Sequence, residues 1–214
     1  MRKAALASLL LSSMLGAQDA TSVLRKAERS YRAIETLEAD FVQTIVNPML
    51  GGPETTHGTF LLAPPNRFAM RFDEPAGDRI VADGKWLWAY APSSVPNQVI
   101  RQPIPKRGAA TPNLLAQFVD RPLEHYRASY VGSDTVSGNL VDVVHLVPRT
   151  EAIPFRSADI SISRSSGMVM RLHLREPSGQ QRTLTFERIR TGMPIPASEL
   201  RFDVPKGTRI VTPN

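Results

Sequence analysis

The side chains in this chain that could serve acid–base or metal chemistry are four histidines and a few neighbouring carboxylates. The histidines are His57, His125, His145 and His173. No two of them have the spacing of a metal-binding pair, so the sequence predicts no metal site and no cofactor. Asp73, Glu74 and Asp78 lie around a predicted turn, where carboxylates are usually solvated. The chain also lacks G-x-S-x-G, phosphate-loop and H-E-x-x-H motifs, and we therefore expect no enzymatic activity.

The first residues have the pattern of a secretory signal peptide. Arg2 and Lys3 form its positive end, residues 4–15 are apolar, and Gly16-Ala17 offers small residues for cleavage. We expect residues 1–17 to be the signal peptide and residues 18–214 to form one domain, with cleavage after Ala20 as an alternative. The apolar stretch is too short to span a bilayer as a helix, although it could instead be a buried first helix.

Cysteine is absent, which excludes disulfides, thiolate nucleophiles, cysteine metal sites and an acylated N-terminal cysteine. An exported chain without disulfides depends on its hydrophobic core, and this fits the bacterial periplasm better than a small secreted scaffold. The net charge of +6 comes from basic residues that are scattered along the chain. Together with export, this argues against nucleic-acid binding and favours an acidic partner or an anionic membrane surface.

The spacing of apolar residues predicts one helix followed by many strands. Val23, Leu24, Ala27, Tyr31 and Ile34 lie on one face of a helix that Thr21-Ser22 could cap. After residue 37 the period changes to two, and the turns carry glycine. The predicted strands are 41–46, 55–63, 67–72, 80–83, 86–90, 99–102, 126–131, 140–147, 158–163, 168–176 and 182–190. This rhythm is typical of an antiparallel meander rather than of βαβ units.

A second, short helix interrupts the strands. It is predicted over Leu114–Val119, with Asn113 as its cap, after a loop at 103–112. A sheet of this many strands twists and curls, so its concave side must be filled. The filling could be a packed core of side chains and helices, or a ligand in an adaptable apolar cavity, which flexible methionines would suit.

Six short motifs resemble the LolA family of outer-membrane lipoprotein carriers, and they run through nearly all of the chain that follows the signal peptide. They are Phe41-x-Gln43, Gly58-x-Phe60, Pro65-Asn66-x-Phe68, Asp83-Gly84-Lys85-x-Leu87-Trp88-x-Tyr90-x-Pro92, Thr111-Pro112-x-Leu114-Leu115 and Phe202-x-x-Pro205-x-Gly207. The resemblance implies a mainly β fold with few helices (α+β): an incomplete antiparallel β-barrel with an N-terminal helix and a short helical lid over an apolar cavity.

The resemblance also implies a function. Such carriers are periplasmic chaperones that take an acylated lipoprotein from an inner-membrane ABC transporter and shield its acyl chains. They then hand it to an outer-membrane acceptor lipoprotein or to the membrane. The carrier would act as a monomer, without covalent chemistry and without nucleic acid.

The strand faces and the resemblance together predict the binding residues. The predicted cavity residues are Phe60, Leu62, Phe68, Met70, Phe72, Trp88, Met168, Met170, Leu172 and Leu174. The predicted apolar side of the lid is Leu114, Leu115 and Phe118. Pro64 stands where some family members carry an arginine that latches the lid, and a proline cannot donate a hydrogen bond. How the lid is held is therefore left open.

Three other functions are compatible with the sequence. The same fold could carry another lipid or a glycolipid, or it could sense a lipid signal of the cell envelope. A hydrolase would need a nucleophile in the cavity, whereas serine and threonine lie mainly in turns and on polar strand faces.

Overall fold

The computed structural model describes residues 19–49, 51–104, 114–151 and 153–213, and one twelve-stranded sheet dominates them. The strands are β1 (Leu37–Val46), β2 (Glu54–Ala63), β3 (Arg67–Phe72), β4 (Arg79–Asp83), β5 (Trp86–Tyr90), β6 (Gln98–Pro103), β7 (Tyr126–Val136), β8 (Asn139–Pro148), β9 (Ser157–Ser163), β10 (Val169–Arg175), β11 (Gln181–Thr191) and β12 (Arg209–Val211). The helices are α1 (Ala20–Arg32), α2 (Ala116–Val119) and α3 (Pro122–His125), with a 3₁₀ turn at Ala197–Leu200.

The strand order is β12-β6-β5-β4-β3-β2-β1-β11-β10-β9-β8-β7. Neighbours are antiparallel except for β12, which pairs with β6 in parallel. The strands curl around α1 and the lid helices, and β12 and β7 remain as the two edges. The structure thus confirms the predicted mainly β fold with an incomplete barrel and few helices.

Helix α1 forms as the apolar spacing predicts, with Val23, Leu24 and Ala27 buried. It begins one turn earlier than expected, because Asp19 is its N-cap residue and Ser22 Oγ donates to the Asp19 carbonyl at 2.8 Å. Arginines in its last turn face the negative end of the helix dipole, a favourable placement. Among the described helices, none has the length and apolar composition to cross a membrane.

The tightest predicted turn, Asp83-Gly84, connects β4 and β5. Gly84 has a φ of 99°, which glycine adopts without strain. The carboxylate of Asp83 accepts hydrogen bonds of 2.8 Å from the backbone N–H groups of Lys85 and Trp86 and from Trp88 Nε1. Burial alone would raise the pKa of Asp83, but these hydrogen bonds outweigh it and lower the pKa below its ordinary value.

The structure differs from the predicted elements around the lid and at the C-terminus. The lid helix is shorter than predicted, because Leu114 and Leu115 lie in a turn before α2. Arg121, with a φ of 47°, separates α2 from α3, a helix that the sequence pattern did not indicate. The short strand β12 was also missed, and β7 runs on to Val136. The predicted cap Asn113 and most of the loop at 103–112 lie outside the described residues.

Candidate functional site

The inner, concave face of the sheet carries one large apolar cluster beneath α1 and α2. Cross-strand pairing aligns Phe60 with Met70 and Leu62 with Phe68, so all four side chains point to this face. Aromatic rings also meet across β1: the ring of Phe60 on β2 lies 5.3 Å from that of Phe186 on β11, between centroids. Of the predicted cavity residues, the cluster contains Phe60, Leu62, Phe68, Met70, Phe72, Met168, Leu172 and Leu174, of which Phe72, Met168 and Leu174 are half-buried.

Trp88 does not belong to this cluster, and its predicted place was wrong. It pairs with Val81 and Arg101 on the outer face and stacks on Phe202 with ring centroids 5.3 Å apart. Trp86, Trp88 and Tyr90 share this face, as alternation along a strand requires. Alternation did not show which face it is, because the C-terminal segment gives the outer face an apolar cover of its own.

Met170 is the second predicted cavity residue that lies outside the inner cluster. An irregularity in the pairing of β10 with β9, between Val169 and Arg171, breaks the strict alternation that would align Met170 with Leu172. Met170 packs instead with Val136 and Val141 in a separate small cluster. Val169 takes its place on the inner face.

The apolar side of the lid packs on the inner face. Leu115 and Phe118 are buried in the inner cluster, and Leu114 is half-buried against it. The ring of Phe118 lies 5.5 Å from that of Phe155 and 6.2 Å from that of Tyr126, both of which the sequence analysis missed. Tyr126 precedes β8 in the chain and Phe155 follows it, so no local sequence pattern associates either ring with the lid.

A buried hydroxyl ties the lid to the sheet. Tyr126 Oη donates to the main-chain oxygen of Gln117 at 2.9 Å, and the Tyr126 side chain is fully buried. Burial raises the pKa of the Tyr126 phenol well above its ordinary value, so the group remains a donor throughout the physiological pH range.

A carboxylate on α1 holds the other end of the lid. Glu28 Oε1 accepts a hydrogen bond of 2.6 Å from Arg32 and another of 3.3 Å from the backbone N–H of Arg121. Arg32 also lies 3.7 Å from Asp120. No sequence pattern indicates this role of Glu28, because its partner Arg121 is 93 residues away.

Helix α1 is itself fixed to the turn between β9 and β10. Ser30 Oγ donates to the Ser166 carbonyl at 2.8 Å, and Lys26 Nζ donates to the Arg164 carbonyl. Gly167 has a φ of 75°, and a Cβ there would lie 2.4 Å from Ser30 Oγ. Glycine is thus required by both the backbone and the close approach of α1.

Between α1, the lid and this turn, the inner face holds an apolar pocket of about 10 Å³. That volume has room for about one water molecule. Its lining includes Ala27, Tyr31, Leu115, Val119 and Met168. Ligand pockets measure roughly 300–1,000 Å³. Among the described residues, the side chains of the lid and sheet therefore occupy the space where the sequence predicted a larger cavity, so a long ligand bound there would need the lid to move away.

Polar groups gather on the outer face of β8 to β11. Asp159 lies 2.5 Å from His145 Nδ1 and 2.9 Å from Arg175, and His173 Nδ1 lies 2.9 Å from Thr183 Oγ1. Burial alone would raise the pKa of Asp159, but the hydrogen bonds from His145 and Arg175 lower it overall. Within the described part of the chain, no group of three or more histidine and acidic side chains could hold a metal ion.

Comparison with known proteins identifies the family. Residues 32–203 match the model of the family described as "Outer membrane lipoprotein carrier protein LolA". The chain belongs to the LolA family. A relative named outer-membrane lipoprotein carrier protein, from Albidiferax ferrireducens, is 26% identical over 195 residues, which cover 88% of this chain and 90% of the relative. One of the same name from Pseudomonas paraeruginosa is 25% identical over 206 residues, covering 96% and 95%.

A solved structure supports the fold of this LolA-family chain. An uncharacterized conserved protein from Thermus thermophilus has a TM-score of 0.58 at 14% identity, covering 91% of this chain and 99% of its own. At this identity the likeness concerns the fold alone. It agrees with a LolA-type open sheet that wraps around an N-terminal helix and a short lid.

Proposed function

We propose that this LolA-family protein carries acylated lipoproteins through the periplasm from the inner to the outer membrane, by non-covalent binding and transfer. The observation that carries the proposal is the continuous apolar inner face, closed by a lid whose own apolar side chains cover it. Family membership and the names of the relatives support the choice of lipoprotein as cargo.

The inner face supplies the physical basis of a carrier. Burying an acyl chain stabilises it by about 0.8 kcal/mol per CH₂ group, so a lipoprotein anchor cannot diffuse freely through water. Side chains from both halves of the sheet meet in one cluster here, and acyl chains would replace the lid side chains as their packing partners. The proposed acyl-binding residues are Phe60, Leu62, Phe68, Met70, Phe72, Met168, Leu172 and Leu174.

The lid supplies reversibility. Besides the apolar contacts of Leu114, Leu115 and Phe118, its polar attachments to the body include the hydrogen bonds from Tyr126 to Gln117 and from Arg121 to Glu28, and the exposed pair of Arg32 with Asp120. A typical hydrogen bond adds only about 0.5–1.5 kcal/mol to stability. A lid held in this way can be displaced by acyl chains and can close again when they leave, so no covalent step is needed.

The proposed route determines the partners and the location. Residues 1–17 would direct the chain to the periplasm, where it would act as a monomer. An inner-membrane ABC transporter would load the cargo, and an outer-membrane acceptor lipoprotein or the membrane would receive it. The described residues do not include the segment 1–18.

Native mass spectrometry of the protein purified from periplasm without detergent tests the cargo. The proposal predicts a bound species that fragments to a peptide with an acylated N-terminal cysteine. If phospholipid or glycolipid is found instead, the protein carries another lipid and the lipoprotein proposal fails.

A further inference from the structure

We propose that the protein docks on anionic phospholipid surfaces through one corner of its outer face, formed by Arg67, Lys85, Trp86 and Arg101. We call this corner the rim patch. The inference extends the proposed carrier function, since it uses residues outside the acyl-binding face and a different ligand, the lipid headgroup.

Strand pairing brings the four residues to the same corner. Arg67 begins β3 opposite Asp83, which ends β4, and Trp86 begins β5 opposite Pro103, which ends β6. Arg101 pairs with Trp88 one step further along the same face. The patch therefore lies at one end of the sheet, next to the hairpin turn at Gly84.

Two cations lie against one tryptophan in the rim patch. The Arg101 guanidinium is 4.3 Å from the centroid of the Trp86 ring, and Lys85 Nζ is 5.7 Å from it. Trp86 is half-buried, while Lys85 and Arg67 are exposed. Arg101 Nε is buried without a hydrogen-bond partner in the described structure. The ring thus fixes the orientation of Arg101 without neutralising its charge.

The rim patch keeps a net positive charge. No ion pair within the described ranges involves Arg67, Lys85 or Arg101. The nearby carboxylate of Asp83 accepts hydrogen bonds from three neutral N–H donors, and its single negative charge leaves the three cations in excess. The arginines on β10 and β11 differ from those of the rim patch, because they pair with carboxylates. These pairs are Arg171–Asp134, Arg175–Asp159, Arg188–Asp40 and Arg190–Glu38. The rim patch is therefore free to bind anions of another molecule.

The chemistry of the rim patch matches a phospholipid surface. Tryptophan is enriched at the level of lipid headgroups, and lysine and arginine are attracted to anionic leaflets. The patch also adjoins the site of the proposed function. The Ile104 N–H donates to the Lys85 carbonyl at 3.0 Å, while the Ile104 side chain is buried in the inner cluster. Docking here would hold the acyl-binding face beside the membrane that supplies or receives the cargo.

Vesicle flotation with the purified protein tests the proposal. We expect binding to vesicles of phosphatidylglycerol and phosphatidylethanolamine, much weaker binding to phosphatidylcholine vesicles, and a decrease with added salt. Each cation near an anionic leaflet contributes about fivefold in affinity, so Arg67→Gln with Lys85→Gln should weaken binding about 25-fold. Trp86→Ala should also weaken binding. The matched control is Arg127→Gln with Lys206→Gln, which removes the same charge from exposed positions elsewhere.

The outcomes separate this proposal from the carrier function. Equal binding to both kinds of vesicle, or equal loss in the control variant, would overturn docking through the rim patch. Absence of binding to anionic vesicles would also overturn it. Binding of an acylated lipopeptide in solution should be unchanged in the Arg67 and Lys85 double variant. If the wild-type protein does not bind the lipopeptide, the carrier function is refuted, whereas docking through the rim patch is not.

Discussion

The hydroxyl of Tyr126 lies 2.9 Å from the main-chain oxygen of Gln117 and donates a hydrogen bond to it. This contact joins the lid helix α2 to the first residue of the edge strand β7. Tyr126 is fully buried, so no water replaces the bond while the lid is closed. Strand β7 therefore holds the lid of this protein through Tyr126, whereas position 64 carries a proline and not an arginine.

Removal of this hydroxyl should loosen the lid. Tyr126→Phe keeps the ring contact with Phe118 but leaves the Gln117 carbonyl without its donor. We expect a loss of about 1–3 kcal/mol in the stability of the closed lid. Hydrogen exchange of the amides of residues 116–119 should accelerate, while exchange in β1 and β11 should not change. Unchanged exchange in the lid would show that the bond does not hold it.

The contact of Glu28 with the lid should depend on an acceptor oxygen rather than on charge. Glu28→Ala should accelerate hydrogen exchange at residues 120–121, whereas Glu28→Gln, which keeps an oxygen for the Arg121 N–H, should have a smaller effect. Glu124→Ala is the control, because its exposed pair with Arg121 contributes little. Equal acceleration in all three variants would refute the role of Glu28.

The hairpin at Asp83 should make stability depend on pH in the acid range. The pKa of Asp83 is lower in the folded protein than in the unfolded chain. The ionised carboxylate therefore stabilises the folded state above the unfolded pKa, and this stabilisation is lost as the pH falls through the folded pKa. In Asp83→Asn an amide nitrogen, which cannot accept a hydrogen bond, replaces one carboxylate oxygen. The bond from Trp88 Nε1 is then lost, and the melting temperature at neutral pH should fall. The difference from wild type should shrink as the pH falls below the ordinary pKa of an aspartate and towards the lowered pKa of Asp83 in the folded protein. A difference that is constant with pH would contradict this account.

Gly167 should resist substitution because α1 lies directly over it. Gly167→Ala places a Cβ 2.4 Å from Ser30 Oγ at a φ of 75°, and we expect a destabilisation of about 1–3 kcal/mol in chemical denaturation. Ser30→Ala removes the hydroxyl that the new Cβ would meet. Gly167→Ala should therefore lower the free energy of unfolding less in the Ser30→Ala variant than in the wild-type protein. An equal loss in both proteins would mean that contact with the Ser30 hydroxyl does not determine the effect, and that backbone strain or the approach of Lys26 does.

Much of the fold follows from local patterns. The apolar and polar pattern of residues 67–72 predicted strand β3, and the structure confirms the strand. Its Phe68, Met70 and Phe72, which the strand faces and the family resemblance together placed in the cavity, lie on the inner face. Alternation failed at Met170, where an irregular pairing with β9 interrupts the period. It was ambiguous at Trp88, since a sheet with two apolar faces gives both sides the same pattern.

The parts that the sequence did not predict depend on distant contacts. Glu28 meets Arg121 and Ser30 meets Ser166 only because the sheet curls back on α1. Strand β12 has three residues and forms by pairing with β6, more than a hundred residues earlier. Such short elements depend on a partner already in place rather than on their own composition.

The central claim is that the apolar inner face holds acyl chains. Its most direct test is native mass spectrometry of the purified protein with a synthetic triacylated lipopeptide, comparing wild type with two inner-face variants and one control. Met70→Glu puts a charge in the inner cluster, and Leu114→Glu does so at a half-buried lid position that tolerates a polar group more easily. Val131→Glu, on the exposed edge strand, is the control.

Circular dichroism would first establish that all variants are folded. The account predicts one bound lipopeptide per protein for wild type and Val131→Glu, and loss of the bound species in Met70→Glu and Leu114→Glu. A wild-type protein that retains no lipopeptide, or folded inner-face variants that retain it as well as wild type, would contradict the claim.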